Sequence, residues 1–332
     1  MSQDFTKAQV RGCLMQAIRR VDSGVTVVDV PEPQVRDGDE QVLQVVSAGI
    51  CGSDLHMLAE GLGGVTFGHE FGGRLADGTV VAIRPTGMCG FCAPCQAGRG
   101  NLCGDAFMRF HGGTRDGGFA DRAVVDANEI YRLPASLAPT SAALVEPLAV
   151  AVHGLRRTAL STGQQIAVIG GGSVGLAAVA AARHFGVEVD IDARYEHQQQ
   201  AADALGARIG VGSQGRDGQY DVVVDAVGSQ SAFDRAVQLC RSGGVVIELG
   251  VFWDPVLMGR DVVLREITIA PAVFYAHTHD EDDFTTAIDV LARRPDIEDI
   301  LVTHRFTLDD AAEAFRVAGD RSAGVIKVHF VI

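Results

Sequence analysis

The sequence predicts an α/β chain in two parts, an antiparallel β domain followed by a doubly wound parallel sheet. Three observations predict it. Up to about residue 150, short β-branched runs follow one another without helical spacers. From about residue 163, strand-like runs alternate with helical ones, which argues for parallel strands joined by crossovers. Where the pattern changes, Gln165-Ile-Ala-Val-Ile169 runs into a glycine-rich turn and then an alanine-rich helix. The length of 332 residues also favours two domains of ordinary size.

In the first part, Val25-Thr-Val-Val28 ends at Pro31-Glu-Pro33, and Val42-Leu-Gln-Val-Val46 leads directly to Cys51. Val80-Val-Ala-Ile83 and Ala123-Val-Val125 read the same way. Strands without helices between them suit an antiparallel, barrel-like domain, placed at residues 1–150. In the second part, residues 151–299, the strand-like runs are Ile166–Ile169, Val187–Ile191, Tyr220–Ala226, Val245–Leu249 and Ile267–Ala270. Helical segments such as Ser231–Leu239 fall between them. No repeat, charge block or low-complexity linker interrupts the pattern.

Cys89-Gly-Phe-Cys92-Ala-Pro-Cys95 and Cys103 form a C-x2-C-x2-C-x7-C loop. Four thiolates at this spacing close around one Zn2+ with no open position, the geometry of a structural site. Gly87, Gly90, Gly98, Pro85 and Pro94 mark irregular backbone that needs such a staple. A disulfide pair and a nucleic-acid-binding zinc finger are the competing readings. Nothing else in the chain points to an oxidising compartment, and only Arg99 in the loop offers a phosphate contact.

A second set is mixed: Cys51-Gly-Ser53-Asp54-Leu-His56, Gly68-His69-Glu70 and Val145-Glu146-Pro147-Leu148. A thiolate, an imidazole and one or two carboxylates leave a coordination position open, as a catalytic zinc requires. A lone Cys is usually core packing and a lone His-Glu pair an exposed turn. The combination, with the four-Cys loop inside it, carries the reading.

The glycine-rich turn reads Gly170-Gly171-Gly172-Ser173-Val174-Gly175, a G-x-G-x-x-G pattern between strand and helix. Gly170 makes the tight turn, Gly172 admits a pyrophosphate to the backbone, and Gly175 lets the helix press on the strand. The helix N-terminus then presents free N–H donors to phosphates.

The net charge of −14 disfavours nucleic acid and anionic membranes as partners. No stretch approaches the roughly 18 uncharged apolar residues of a membrane span. Met1-Ser-Gln-Asp-Phe-Thr-Lys has no apolar core of a secretory signal. Cys13 and Cys240, outside both ligand sets, sit in apolar sequence and read as reduced core residues of a cytoplasmic protein.

With these pieces in place, the chain resembles the zinc-containing medium-chain alcohol and polyol dehydrogenases over nearly its whole length. It is most similar to the sorbitol and threonine dehydrogenase branch, through its Gly-His-Glu and Glu-Pro-Leu motifs. Gly117-Gly118-Phe119-Ala120, Leu133-Pro134, Val302-Thr303-His304-Arg305-Phe306, Ala311-Ala312-Glu313-Ala314-Phe315 and Gly324-Val325-Ile326-Lys327-Val328 match as well. The resemblance implies a GroES-like catalytic domain and a Rossmann domain, with residues 300–332 returning to the first. It implies hydride transfer between a secondary alcohol or polyol and a nicotinamide cofactor, two zinc ions per chain, and a homo-oligomer, dimer or tetramer.

By the same resemblance Cys51, His69 and Glu70 hold the catalytic zinc, while Cys89, Cys92, Cys95 and Cys103 hold the structural one. Glu146 either ligates the catalytic zinc or hydrogen-bonds its water. Asp54 orients His69 through the distal ring N–H, or simply makes an Asx turn after Gly52. Ser53 contacts the substrate oxygen, and His56 passes its proton outward or is a surface histidine. Gly170, Gly172, Ser173, Val174 and Gly175, with Gly250 and Val251 beyond the fourth strand, bind the cofactor.

Counting back from Leu205-Gly206-Ala207 places Ala193 where NAD-using relatives carry an acidic ribose ligand, with Arg194 next. Ala-Arg favours NADP over NAD, since a guanidinium grips a 2′-phosphate and no carboxylate repels it. Asp192 and Asp190 keep NAD open should the strand register slip. Only 17 residues separate Cys51 from His69, a short span for this branch, so its substrates do not carry over. Phe110, Phe252 and Trp253 either line an apolar pocket or pack. A catalytically silent NADP-binding redox sensor or structural partner is the alternative, and the intact ligand set opposes it. The same ligands oppose the zinc-free quinone reductases of this fold.

Overall fold

In the computed structural model, the described residues are 14–332 apart from 23, 37, 212–216 and 277–281. Cys13 and the N-terminal segment read above lie outside them. Strands β1 (Leu14–Val21) and β2 (Gly24–Pro31) form an antiparallel ribbon. Then follow β3 (Glu40–Ile50), β4 (Glu70–Arg74), β5 (Val80–Ile83), β6 (Arg122–Asp126) and β7 (Ile130–Arg132), all paired antiparallel. Their β-branched residues alternate inward, as where Leu43 and Val45 of β3 are buried between exposed or half-buried neighbours. Phe67, Phe71, Phe119, Phe315 and Phe330 fill this core, with edge-to-face ring contacts from Phe119 to Phe315 and Phe330.

The second sheet contains β8 (Ile166–Ile169), β9 (Val189–Asp192), β10 (Arg208–Ile209), β11 (Tyr220–Asp225), β12 (Cys240–Glu248) and β13 (Thr268–Pro271). Their order is β10-β9-β8-β11-β12-β13, with every pair parallel. The all-apolar β8 is buried along its length because helices cover both faces. Val168, Val224 and Ile247 pack with the helices Val145–Leu155 and Ser173–His184, and Ala167, Val223 and Val246 pack with Gln230–Leu239. The chain leaves β8 toward β9 and later returns on its other side to β11, so a crevice opens at the carboxyl ends between them.

Finally β14 (Val302–Phe306) and β15 (Lys327–Val331) rejoin the first sheet, where β15 pairs antiparallel with β3 and parallel with β14. The architecture is the expected one, with this single parallel pair at the edge of the first sheet. Boundaries shift where pairing decides them. The second parallel strand runs to Asp192 rather than Ile191, aligned with Ile169 of β8. β12 begins at Cys240 rather than Val245, because Cys240 pairs with Tyr220 ahead of a register shift. No helix among the described residues is long and apolar enough to cross a membrane.

Candidate active site

Cys51 stands at the N-cap of the helix Gly52–Ala59. His69 and Glu70 stand at the start of β4, beside that helix. One donor atom each from Cys51, His69 and Glu70 lies within 4.8 Å of the other two, so the three fit a single metal ion. Glu146, on the helix Val145–Leu155, is outside that group.

Asp54 lies against both Cys51 and His69, and its contact with Cys51 is part of a helix cap rather than an Asx turn. Its Oδ2 accepts the Cys51 N–H at 2.9 Å, closing the cap, and its Oδ1 stands 3.3 Å from Nδ1 of His69. That leaves Nε2 of His69 for a metal, 3.4 Å from the Ser53 hydroxyl. Burial pulls the His69 pKa down, but the Asp54 carboxylate more than offsets this and carries it well above the ordinary imidazole value.

Three partners of this cluster escaped the sequence reading. Lys327, buried on β15, donates to both oxygens of Glu70 at 2.7 and 2.8 Å. Burial alone would lower the Lys327 pKa, but the Glu70 charge raises it. His329, two residues on, is buried without a partner at Nε2, and burial and Lys327 hold it down to about 3. Gly49 of β3 lies between them, paired with Glu70 on one side and His329 on the other. A Cβ at Gly49 would collide with the Glu70 carboxylate. Tyr275, from the segment after β13, donates to Oε1 of Glu146 at 2.6 Å. Burial pushes Glu146 up to about 7, with His69 pulling it down and Glu70 pushing it up. No motif marks these contacts, although Lys327 lies within a matched stretch.

In the four-Cys loop the ligand sulfurs also lie within 4.8 Å of one another, and the described cysteines are free rather than bridged. Cys89 N–H points to Cys103 Sγ at 3.4 Å, and Cys92 N–H to Cys89 Sγ at 3.3 Å. Backbone N–H groups of Phe91 and Cys92 lower the Cys89 thiol to about 7, while burial pushes Cys95 up to about 12. Cys240 is buried, and burial raises its thiol to about 11.

The glycine turn follows β8 directly. A Cβ at Gly175 would strike the Gly170 carbonyl, so only glycine lets this helix seat against the strand end. Space around Gly172 is open to 4 Å, leaving the helix N-terminus accessible to a phosphate. At the end of β9, Asp192 and Arg194 are exposed while Ala193 is buried against the turn. The Arg194 guanidinium sits 5.5 Å from the Tyr195 ring. Asp190 is removed as a ribose ligand: it is buried, taking the Tyr220 hydroxyl and Arg208 Nε at 2.6 Å each.

The loops after β12 and β13 bring the parallel sheet to the metal cluster. Gly250 packs on Gly228, while Val251 is exposed. Trp253 stacks on His56, centroids 4.3 Å apart and planes 14° apart. Phe110 lies 5.2 Å from the His69 ring. Phe252 is no pocket residue; it packs edge-on against Phe233 in the core under the sheet.

Residues 37–135 match the alcohol dehydrogenase GroES-like domain, and residues 173–293 match the zinc-binding dehydrogenase family. The chain is 33% identical to sorbitol dehydrogenase of Bacillus subtilis over 257 residues, 68% of this chain and 72% of that one. It is 29% identical to L-galactonate-5-dehydrogenase of Escherichia coli over 316 residues, 86% and 89% of the two. A zinc-binding dehydrogenase of Sinorhizobium meliloti, solved bound to NADP, superposes with a TM-score of 0.85 at 29% identity, covering 96% of this chain and 100% of that one. With its mixed ligand set, its four-Cys loop and its glycine turn in these positions, the chain belongs to the zinc-containing medium-chain alcohol and polyol dehydrogenases.

Proposed function

We propose that this chain runs its family's oxidoreduction of secondary alcohols or polyols on two zinc ions, with NADP(H) preferred over NAD(H). The observation that carries the reading is the convergence of Cys51, His69 and Glu70 within 4.8 Å. When bound there, zinc polarises the substrate oxygen and the nicotinamide exchanges the hydride. Cys51, His69 and Glu70 hold the metal, Asp54 fixes the His69 ring, and Lys327 orients Glu70. Ser53 contacts the substrate oxygen. Glu146, anchored by Tyr275 at one oxygen and titrating near 7, exchanges a proton at the other. His56, exposed at the mouth of the cleft, passes that proton to solvent.

NADP is supported by the exposed Arg194 beside a methyl group where a carboxylate would oppose phosphate, and by the NADP-bound relative. The free thiols of both ligand sets suit a reducing cytoplasm. A second copy of the chain would cover β13, the outer strand of its sheet, with exposed Leu257, Met258, Val263 and Leu264 nearby.

Turnover of an alcohol and polyol panel with both cofactors, with and without chelator, tests the reading. Cys51→Ala should abolish turnover yet still bind cofactor, whereas Cys92→Ala should lower the unfolding temperature through loss of metal-derived folding energy. An active Cys51→Ala enzyme, or a stable but inactive Cys92→Ala enzyme, contradicts the assignment of the two sites.

A further inference from the structure

Phe274 has a φ of 54°, in the left-handed region that bulky residues avoid. Strain of this kind persists only where surrounding contacts enforce it. The next residue is Tyr275, whose hydroxyl holds one oxygen of Glu146. The contacts that enforce the strain therefore also decide where that phenol stands.

Those contacts form a closed ring of buried polar groups. Asn101, in the turn Gly100–Leu102 of the four-Cys loop, donates from Nδ2 to the Val273 carbonyl at 3.1 Å. The same Nδ2 lies 3.4 Å from Nε2 of His153. His153 stands on the helix Val145–Leu155, about two turns beyond Glu146. Its Nδ1 faces Oδ2 of Asp283 at 3.0 Å, and that oxygen also accepts the Ala276 N–H at 2.7 Å. With a ring proton on Nδ1, His153 donates to the carboxylate and accepts from the amide at Nε2. Arg156 anchors the other Asp283 oxygen at 2.5 Å. Tyr275 is thus flanked by two fixed points, the Val273 carbonyl and the Ala276 N–H, and Asn101 and His153 join them. Asn101 keeps its Oδ1 buried without a partner. Turned over, the amide would set that oxygen against the Val273 carbonyl, so its donors fix its orientation.

We propose that Asn101 is a positioning residue that couples the four-Cys loop to Glu146. It holds the segment 273–276 so that Tyr275 occupies one Glu146 oxygen and leaves the other for proton exchange. The proposal rests on the role given to Glu146 above. In that role the alcohol carbon gives its hydride to the oxidised cofactor, its hydroxyl proton goes to the unoccupied Glu146 oxygen, and a ketone is left. Asn101 belongs to neither ligand set, so it acts only through these contacts. Without its amide, Val273 and His153 lose a donor in a buried place. Phe274 is then free to relax toward negative φ, which carries Tyr275 off Glu146.

A double-mutant cycle on kcat tests this, with Asn101→Ala, Tyr275→Phe and the two combined, in zinc-loaded enzyme oxidising xylitol or 2-butanol with NADP+. Each single variant should lower kcat about 10- to 100-fold, the cost of a small misplacement, and leave KM for NADP+ nearly unchanged. The combined variant should be no slower than Tyr275→Phe, since Asn101 works through that phenol. A second readout needs no turnover: backbone amide exchange over residues 274–276 should quicken roughly tenfold or more in Asn101→Ala, with or without metal. Asn101→Asp replaces that variant should it fold poorly. It keeps the side-chain shape, retains the His153 link through a second ring proton, and removes only the donor to Val273. Losses that multiply in the combined variant, or exchange that stays at the wild-type rate, overturn the coupling and make Asn101 a stabiliser of its own loop. Wild-type kcat in Glu146→Gln would instead overturn the role of Glu146, and this proposal with it.

Discussion

In the proposed cofactor reading, Arg194 and Ala193 would set the charge facing the adenosine ribose. Ala193 is buried against the glycine turn and presents only a methyl group there. Arg194 is exposed next to it, close to the Tyr195 ring. A charge-assisted contact to a 2′-phosphate contributes roughly 1.5–3 kcal/mol. Arg194→Ala should therefore weaken NADP binding about 10- to 150-fold and leave NAD nearly unchanged. Dissociation constants of both cofactors on both proteins decide the matter. Equal losses would make Arg194 a partner of Tyr195 rather than of phosphate. A wild type that already prefers NAD, with a silent variant, would assign the ribose to the exposed Asp192.

At the scale of elements, the parallel sheet carries a conflict at the ends of β11 and β12. Asp225 and Glu248 are buried opposite one another in register. Asp225 Oδ1 accepts the N–H groups of Val227 and Gly228 at 2.8 and 3.1 Å, but Oδ2 and both Glu248 oxygens have no hydrogen-bond partner of acceptable geometry. Burial, and then the Asp225 charge, push Glu248 up to about 9, so the pair shares a proton at neutral pH. A carboxyl raised in the folded state contributes stability that is complete below its ordinary value of 4.5 and is lost as pH rises through 9. The loss amounts to about 1.4 kcal/mol for each pH unit between 4.5 and 9 and is complete above 9. Wild type should unfold at a lower temperature at pH 10 than at pH 7, and Glu248→Gln should remove most of the difference. An equal alkaline loss in the variant, followed by scanning fluorimetry, would place its origin elsewhere.

At the scale of the whole molecule, both sheets meet through side chains rather than through shared strands. Tyr275 on Glu146, Trp253 on His56, and Ser141 on Glu298 at 2.5 Å each join residues distant along the chain. Strand β13 is an outer strand of the parallel sheet, and exposed Val263 and Leu264 lie a few residues before it. Such an edge offers unpaired backbone groups to a second chain. Sedimentation of wild type should give a dimer or a larger even assembly, and Leu264→Asp should shift it toward monomer. A wild-type monomer at micromolar concentration would exclude β13 as an assembly edge.

What the sequence determined by itself was local. The four-Cys loop, Cys51 with Asp54, His69 with Glu70, and the glycine turn are groups whose members lie within a few residues or one loop, so covalent spacing alone places their atoms near one another. The alternation of strands and helices was legible for a related reason, since burial imposes its period on neighbouring residues. Contacts across the fold were not. Lys327 and Glu70 lie 257 positions apart, and Tyr275 and Glu146 lie 129 apart. They meet only because β15 returns to β3 and the segment after β13 reaches the helix that bears Glu146. The end of β9 is decided in the same way, by pairing of Asp192 with Ile169 rather than by any property of Val187–Asp192 alone. A composition pattern shows which residues want burial; only closure of the two sheets decides which partners they find there.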